Sequence, residues 1–307
     1  MKYFVIGSEG FLGKALCKEV NKLEGAILVR ADAASSQIKQ PGASAYYQLD
    51  LSDTLSVIKI IKQESPDVIF CLAGMFGGED LSLLFEVNCF SIIRILEKLG
   101  EIKTRIVLIG SAAEYGVARP NEKIPENHPL RPIGRYGMSK ACMSMMATDL
   151  AKEKMLDVMI ARIFNMSGSG VSKSLLLGAI ASQIAQIEKR ALPPVLKVGN
   201  TETYRDFLPV GKVASALIKL SSQGKRGETY NVCSGFPRLI RNVISDLLSF
   251  SAEKISVEVA PLRVKANDVP WSVGDNSKLI DLFNPDCSRG EWMASLRETL
   301  EYARNEK

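Results

Sequence analysis

Apolar positions along the 307 residues alternate between short unbroken runs and stripes of helical spacing. Residues 3–6 form an apolar strand that ends at Gly7. The helix that follows carries Leu12, Leu16, Val20 and Leu23 on one stripe. Residues 26–30 read as a second strand, and a third ends in Tyr47-Gln48-Leu49-Asp50-Leu51. An amphipathic helix over 53–64 presents Leu55, Ile58 and Ile61. Asp67-Val68-Ile69-Phe70-Cys71 is nearly all apolar, as a parallel strand covered on both faces must be. The alternation continues through a helix over 80–99, a strand over 105–109, a helix over 137–154 and a strand over 158–162. Leu177, Ile180, Ile184 and Ile187 mark a further helix, and a helix over 211–221 precedes a strand over 229–232 that is expected to rejoin the sheet. The remainder is mixed: a helix near 238–250, a strand near 255–259, a polar turn at 265–268 and a terminal helix at 290–305. This order predicts an α/β chain with a doubly wound parallel sheet, ligands at the carboxyl ends of its strands, and a smaller C-terminal cap across that edge.

Composition narrows the class. Hydrophobic residues make up 46% and charged ones 24%, ordinary for a globular protein. The net charge of +5 is mild, and no Lys/Arg run is dense enough to indicate nucleic acid. The N-terminus runs straight into a glycine turn rather than forming a signal peptide, and no apolar run approaches the roughly 20 residues that span a bilayer. Six cysteines at 17, 71, 89, 142, 233 and 287 lack metal-ligand spacing, so no metal is expected and a reducing cytoplasmic setting is. His128 is the single histidine and sits in a proline-rich loop.

Three stretches carry chemistry. Gly7-Ser8-Glu9-Gly10-Phe11-Leu12-Gly13 lies between the first strand and its helix, the context in which a glycine turn brings a pyrophosphate against free N–H groups and a positive dipole end. That makes the N-terminal part a Rossmann-type dinucleotide-binding unit, with Gly7, Gly10, Phe11, Leu12 and Gly13 as cofactor contacts. Asp32, some ~20 residues past the glycines, suits ribose hydroxyls and favours NAD; Arg30 beside it could instead hold the extra phosphate of NADP. Asp50 and Leu51 are placed near the adenine, and Leu72-Ala73-Gly74 is small enough for a cofactor to lie against. The cofactor expected is NAD(P)H, with a slight lean to NADH. Tyr136 and Lys140 lie four apart on one helix face, and Ser111 follows a strand 25 residues upstream. A phenol titrates near ~10, and a nearby ammonium eases its ionisation. Ser111 would hydrogen-bond a carbonyl gaining charge, Tyr136 would move the proton, and Lys140 would also hold ribose hydroxyls.

Gly7/Gly10/Gly13, Asp50-Leu51, Leu72-Ala73-Gly74, Val87-Asn88, Ser111 to Gly116, Tyr136/Lys140 and Arg162-x-Phe164-Asn165 together resemble the extended short-chain dehydrogenase/reductases of the nucleotide-sugar epimerase/dehydratase group. Within it the chain is most similar to the GDP-6-deoxy-4-keto-mannose reductases and their relatives, through Val198-Gly199-Asn200, Arg205-Asp206-Phe207, Tyr230 to Gly235, Asn267 to Pro270 and Gly274 to Leu279. The resemblance implies that Asn165 and Lys197 touch the nucleotide sugar, and that Arg205 with a base at Arg263 or Lys265 holds the diphosphate. It implies a division into 1–165 with 206–235 for the dinucleotide and 166–205 with 236–307 for the substrate. It also implies a homodimer through helices 80–99 and 137–154. The group's dehydratases carry a carboxylate pair after the serine; here Ala112 and Ala113 stand there. Its epimerase-reductases use a cysteine and a histidine, where this chain has Ala113 and Gly170. What survives is reduction of a 4-keto-6-deoxy sugar or 4-epimerisation with tightly held NAD; a silent dinucleotide sensor is the remote alternative. Arg135, Met166 and Lys265 depart from the group's usual residues near the sugar.

Overall fold

The computed structural model of the chain describes residues 1–35, 42–77, 80–100, 102–264, 268–285 and 287–306. The first half alternates as the pattern predicts: β1 Lys2–Ile6, α1 Phe11–Val20, β2 Ile27–Asp32, β3 Ala43–Gln48, α2 Thr54–Glu64, β4 Val68–Cys71, α3 Leu81–Phe85, α4 Ser91–Lys98, β5 Arg105–Ser111, α5 Gly134–Glu153 and β6 Asp157–Ile163. After β7 Asn165–Ser167 come α6 Leu176–Glu188, β8 Val195–Val198, β9 Tyr204–Arg205, β10 Phe207–Pro209, α7 Val210–Gln223 and β11 Thr229–Val232. The chain closes with β12 Arg238–Leu239, α8 Ile240–Leu248, β13 Ser256–Val259, β14 Trp271–Ser272, α9 Ser277–Ile280 and α10 Arg289–Asn305.

Seven strands form one parallel sheet in the order β11-β6-β5-β4-β1-β2-β3. Strand order reverses between β1 and β4, and a crevice at the carboxyl ends opens at such a switch point. β4 is buried along its whole length, which is why its sequence is a continuous apolar run. One face of the sheet packs on α1 and α7 through Leu16, Val20, Val213 and Leu217, and α6 extends the same apolar cluster toward α10 and β8 through Ile180 and Ile184. The other packs on α2, α4 and α5 through Val57, Ile61, Ile92, Leu96, Met143 and Ala147. Local chemistry sets the ends of these helices. Asp53 caps α2 by accepting from Ser56 N–H, and Ser65 closes it in the left-handed region at φ 44°. Ser288 and Glu291 form a reciprocal capping box at the start of α10.

The differences from the sequence pattern are local. β3 ends at Gln48, three residues short of Leu51, and 49–51 turn into the crevice as a loop. The helix expected over 80–99 is two segments, α3 and α4, joined by a π-helical turn over Glu86–Phe90. The turn at 265–268 lies outside the described residues except for Asp268. Among the described residues no helix is long and apolar enough to cross a membrane.

Candidate active site

The glycine turn is built by close approach of backbone. Gly7 has φ +87°, and a Cβ there would stand 2.6 Å from Ala73 N. At Gly13 a Cβ would lie 2.1 Å from Gly7 O. Neither position accepts a side chain without moving main chain. The Gly7 and Ser8 amides donate to Ala31 O at 2.8 and 3.1 Å, which pins the turn to β2. α1 begins at Phe11 with no side chain capping it, so its first-turn N–H groups are left for a ligand. The adjoining crevice has a volume of about 500 Å³ and is bounded by Gly7 and Gly10, by Asp32, Asp50 and Leu51, and by Leu72, Ala73 and Gly74. A bare helix end, glycines that admit no Cβ and an acid opposite them fit the phosphates and ribose of a dinucleotide. Leu12 lines the next cavity along. Gly13 is buried behind the turn, and the Phe11 ring lies toward Gly170.

Asp32 is held open-handed: its carboxylate accepts from Glu9 N at 2.8 Å and Ala34 N at 3.1 Å. Arg30, the other possibility at this end, is 1% exposed. Its guanidinium pairs with Glu9 and lies 5.3 Å from the Tyr46 ring. Glu9 lines the crevice and Arg30 does not, so Arg30 does not present itself to a ribose phosphate.

β5 delivers Ser111 to the cleft, and a 3-10 turn over Ala112–Glu114 follows. Glu114 folds back beneath Ser111. One carboxylate oxygen accepts from Ser111 N at 2.7 Å, the other from Arg162 Nε at 2.8 Å. Arg162 in turn donates to Tyr115 OH and Glu126 O, each at 3.1 Å. Burial raises the Glu114 carboxyl above its ordinary value, and Arg162 opposes the rise. Glu114 therefore belongs to the support of Ser111 and lines neither cavity of the cleft.

α5 carries Tyr136 and Lys140 into a cavity of about 260 Å³, shared with Ser111, Leu72, Gly74 and Asn165. The Lys140 ammonium is 4% exposed and donates to Ile109 O at 3.0 Å. Burial lowers its pKa. Tyr136 is half-buried, and burial raises its hydroxyl above the ordinary value while a hydrogen bond with Ser111 pulls it back. Tyr136 and Lys140 line one cavity, with the ammonium directed to a backbone carbonyl while loss of solvent raises the phenol.

The catalytic helix is tied to the loop opposite it. Asn88, in the π-helical turn, accepts from Met75 N at 2.8 Å and donates to Met75 O at 3.0 Å. The same amide donates to Ser139 Oγ at 3.0 Å, and Ser139 donates to Tyr136 O at 2.9 Å. Irregular helical turns of this kind recur at functional sites.

A second cavity of about 210 Å³ shares Ser111, Tyr136 and Asn165 with the first and extends past Ala112 and Ala113 to Arg205. Asn165 donates to Asp206 O at 3.0 Å, and Arg205 donates to Asp268 Oδ1 at 2.8 Å. The buried Asp206 carboxylate gathers Ser234 N, Ser234 Oγ and Gly235 N at 2.7–2.8 Å, and burial still lifts it to about 6. Lys197 and Arg263 bound neither cavity; Arg263 donates to Lys197 O at 2.9 Å. Lys265 lies outside the described residues. Sequence reasoning missed Phe76 and Ile133 in the walls, and held Val269 only as part of the 267–270 stretch. Phe76 carried a signal, an aromatic directly before two glycines.

The model of the NAD dependent epimerase/dehydratase family matches residues 3–233 of this chain. GDP-6-deoxy-D-talose 4-dehydrogenase of Aggregatibacter actinomycetemcomitans is 24% identical over 291 residues, which are 93% of this chain and 92% of that protein. GDP-6-deoxy-D-mannose reductase of Pseudomonas aeruginosa is 28% identical over 292 residues, 91% of this chain and 90% of that one. The solved structure of RMD from Pseudomonas aeruginosa complexed with NADPH superposes with a TM-score of 0.84 at 25% identity, covering 99% of this chain and 98% of that one.

Proposed function

The chain belongs to the NAD dependent epimerase/dehydratase family, and from that premise we propose that it is an NAD(P)-dependent oxidoreductase that reduces the 4-keto group of a nucleotide-linked, GDP-type 4-keto-6-deoxy sugar. The observation that carries the proposal is that Ser111 and Tyr136 stand on the boundary of both cavities, with Lys140 behind them. When bound, the reduced nicotinamide supplies hydride. Tyr136 donates the proton to the oxygen, and the hydroxyl that burial keeps protonated suits that task. Ser111, fixed through its N–H by Glu114, hydrogen-bonds the same oxygen. Lys140, anchored on Ile109 O, holds the ribose hydroxyls. Ala112 and Ala113 supply no acid or base to the sugar-side cavity, so elimination of water has no proton shuttle there.

The residues assigned to the dinucleotide are Gly7, Gly10, Phe11, Leu12, Gly13, Asp32, Asp50, Leu51 and 72–74. Asn165 and Arg205 are assigned to the sugar diphosphate, with Lys197, Arg263 and Lys265 farther out. Asp32 in the crevice and Arg30 turned away from it favour NADH. Residues 1–165 with 206–235 form the dinucleotide domain, and 166–205 with 236–307 the substrate cap. Leu81, Leu83, Phe90, Met138, Met145 and Met146 are exposed on α3 to α5 and their joining turn, which suits a homodimer through these helices. Cys17, Cys71, Cys89 and Cys233 are buried thiols, suited to a reducing cytoplasm.

The test is direct. Pure protein with NADH or NADPH and a panel of nucleotide-linked 4-keto-6-deoxy sugars is followed by dihydronicotinamide absorbance. Consumption of the reduced cofactor on one of them is expected. No consumption on any, together with oxidised cofactor retained through purification, would move the reading to 4-epimerisation.

A further inference from the structure

One large side chain at the cleft has no task in the chemistry above. Phe76 is 52% exposed, although it sits in the wall of the site. Its ring meets Tyr136 edge-on, with centroids 4.8 Å apart and planes at 66°. It bounds both the catalytic cavity and the sugar-side cavity. The chain before it is fixed, since Asn88 grips both the N–H and the C=O of Met75. Gly77 after it has φ +85°, with open space where a Cβ would stand. The backbone thus holds the ring out toward the cleft instead of folding it into the core.

The sugar-side cavity pairs an apolar wall of Ala112, Ala113, Ile133, Phe164 and Val269 with the polar Ser111, Asn165, Arg205 and Ser272. An exposed aromatic face costs free energy in water and recovers it against another apolar surface. Phosphates and ribose hydroxyls do not offer one. The C–H face of a pyranose does, and a methyl in place of a hydroxymethyl extends it. We propose that Phe76 is a specificity-determining residue, whose ring packs on the C–H face of the sugar whose oxygen meets Tyr136 and so selects sugars with a deoxygenated edge. The inference rests on the proposed reduction of a nucleotide sugar and assigns the selecting side chain.

Calorimetry on the full chain with GDP, GDP-6-deoxy-mannose, GDP-mannose and NADPH tests it, comparing wild type with Phe76→Ala and Phe76→Leu. Phe76→Ala should weaken GDP-6-deoxy-mannose by about tenfold, with GDP and NADPH within twofold of wild type. Phe76→Leu should fall between, and the wild-type preference for the deoxy sugar over GDP-mannose should shrink in both variants. An unchanged affinity for GDP-6-deoxy-mannose overturns the proposal, as does an equal loss for GDP or NADPH, which would make the ring a structural or nicotinamide-side wall. A wild type that reduces a nucleotide-linked keto sugar while Phe76→Ala binds like it sinks this proposal alone. A wild type that neither binds nor reduces any such sugar sinks the functional reading with it.

Discussion

At its dinucleotide end the cleft is made of backbone: a turn that admits no Cβ at Gly7 or Gly13, a bare helix end and a pair of amides bound to Ala31 O. At its sugar end it is made of side chains brought from distant segments, with Phe76, Ile133, Asn165, Arg205 and Val269 around one cavity. The first end depends on the path of the main chain over some ~70 residues of contiguous βαβ structure. The second depends on loops and short strands that meet only after folding, joined at nodes such as Asp206. The difference separates what any relative must share, a fixed cradle for one cofactor, from what can vary, the walls that choose a sugar.

Substitutions at the two ends test this contrast. The largest effect is expected where the two ends meet. Tyr136→Phe should lower kcat by about 10³–10⁴-fold while dinucleotide affinity stays within a few-fold; steady-state kinetics and a binding titration would check both, and a loss below tenfold would remove the tyrosine from its role. Next comes the support beneath Ser111. Glu114→Ala leaves Arg162 buried without its carboxylate and should cost about 3–5 kcal/mol in a denaturant titration. Gly13→Ala presses a methyl against Gly7 O and should cost about 1–3 kcal/mol, with dinucleotide affinity falling and affinity for the free nucleotide sugar retained. Arg205→Met should do the reverse, raising KM for the sugar nucleotide about tenfold with no change toward NAD(P)H. If the two variants affected both ligands alike, the cleft would be a single unit.

The smallest expected effect is with pH. The proton donor is the neutral phenol, present below its pKa and lost above it. Because burial places that pKa above its ordinary value near ~10, kcat/KM for reduction should show no loss from tyrosine ionisation between about pH 6 and 9. The Glu114 charge contributes to the rise, so Glu114→Gln should bring the descending limb to lower pH. A wild-type limb near neutrality would show that the phenol is controlled by Lys140 after all.

Sequence legibility follows the same division. Strand β4, the glycine turn and the pair Tyr136/Lys140 could be read from spacing, since each is set by residues within a turn or a strand of one another. The break in the helix after Asp80 could not, because a π-helical turn is selected by what Asn88 grips across the site and not by the propensities of Glu86–Phe90. Nor could the Glu114–Arg162 pair, which joins a turn after β5 to the neighbouring strand β6. Lys197 and Arg263, assigned to the substrate by resemblance, lie outside both cavities, where Arg263 donates to Lys197 O.

The π-helical turn also sets a phase. It winds one residue more into its turn than an α-helix, and each residue advances a helix by about 100°. Removing a single residue between Glu86 and Phe90 would leave a smoother helix and a worse protein. Asn88 would swing away from Met75, or else Ile92 and Leu96 would rotate off the sheet. One surplus residue lets a single length of chain face inward to the chemistry before the turn and keep its grip on the core after it.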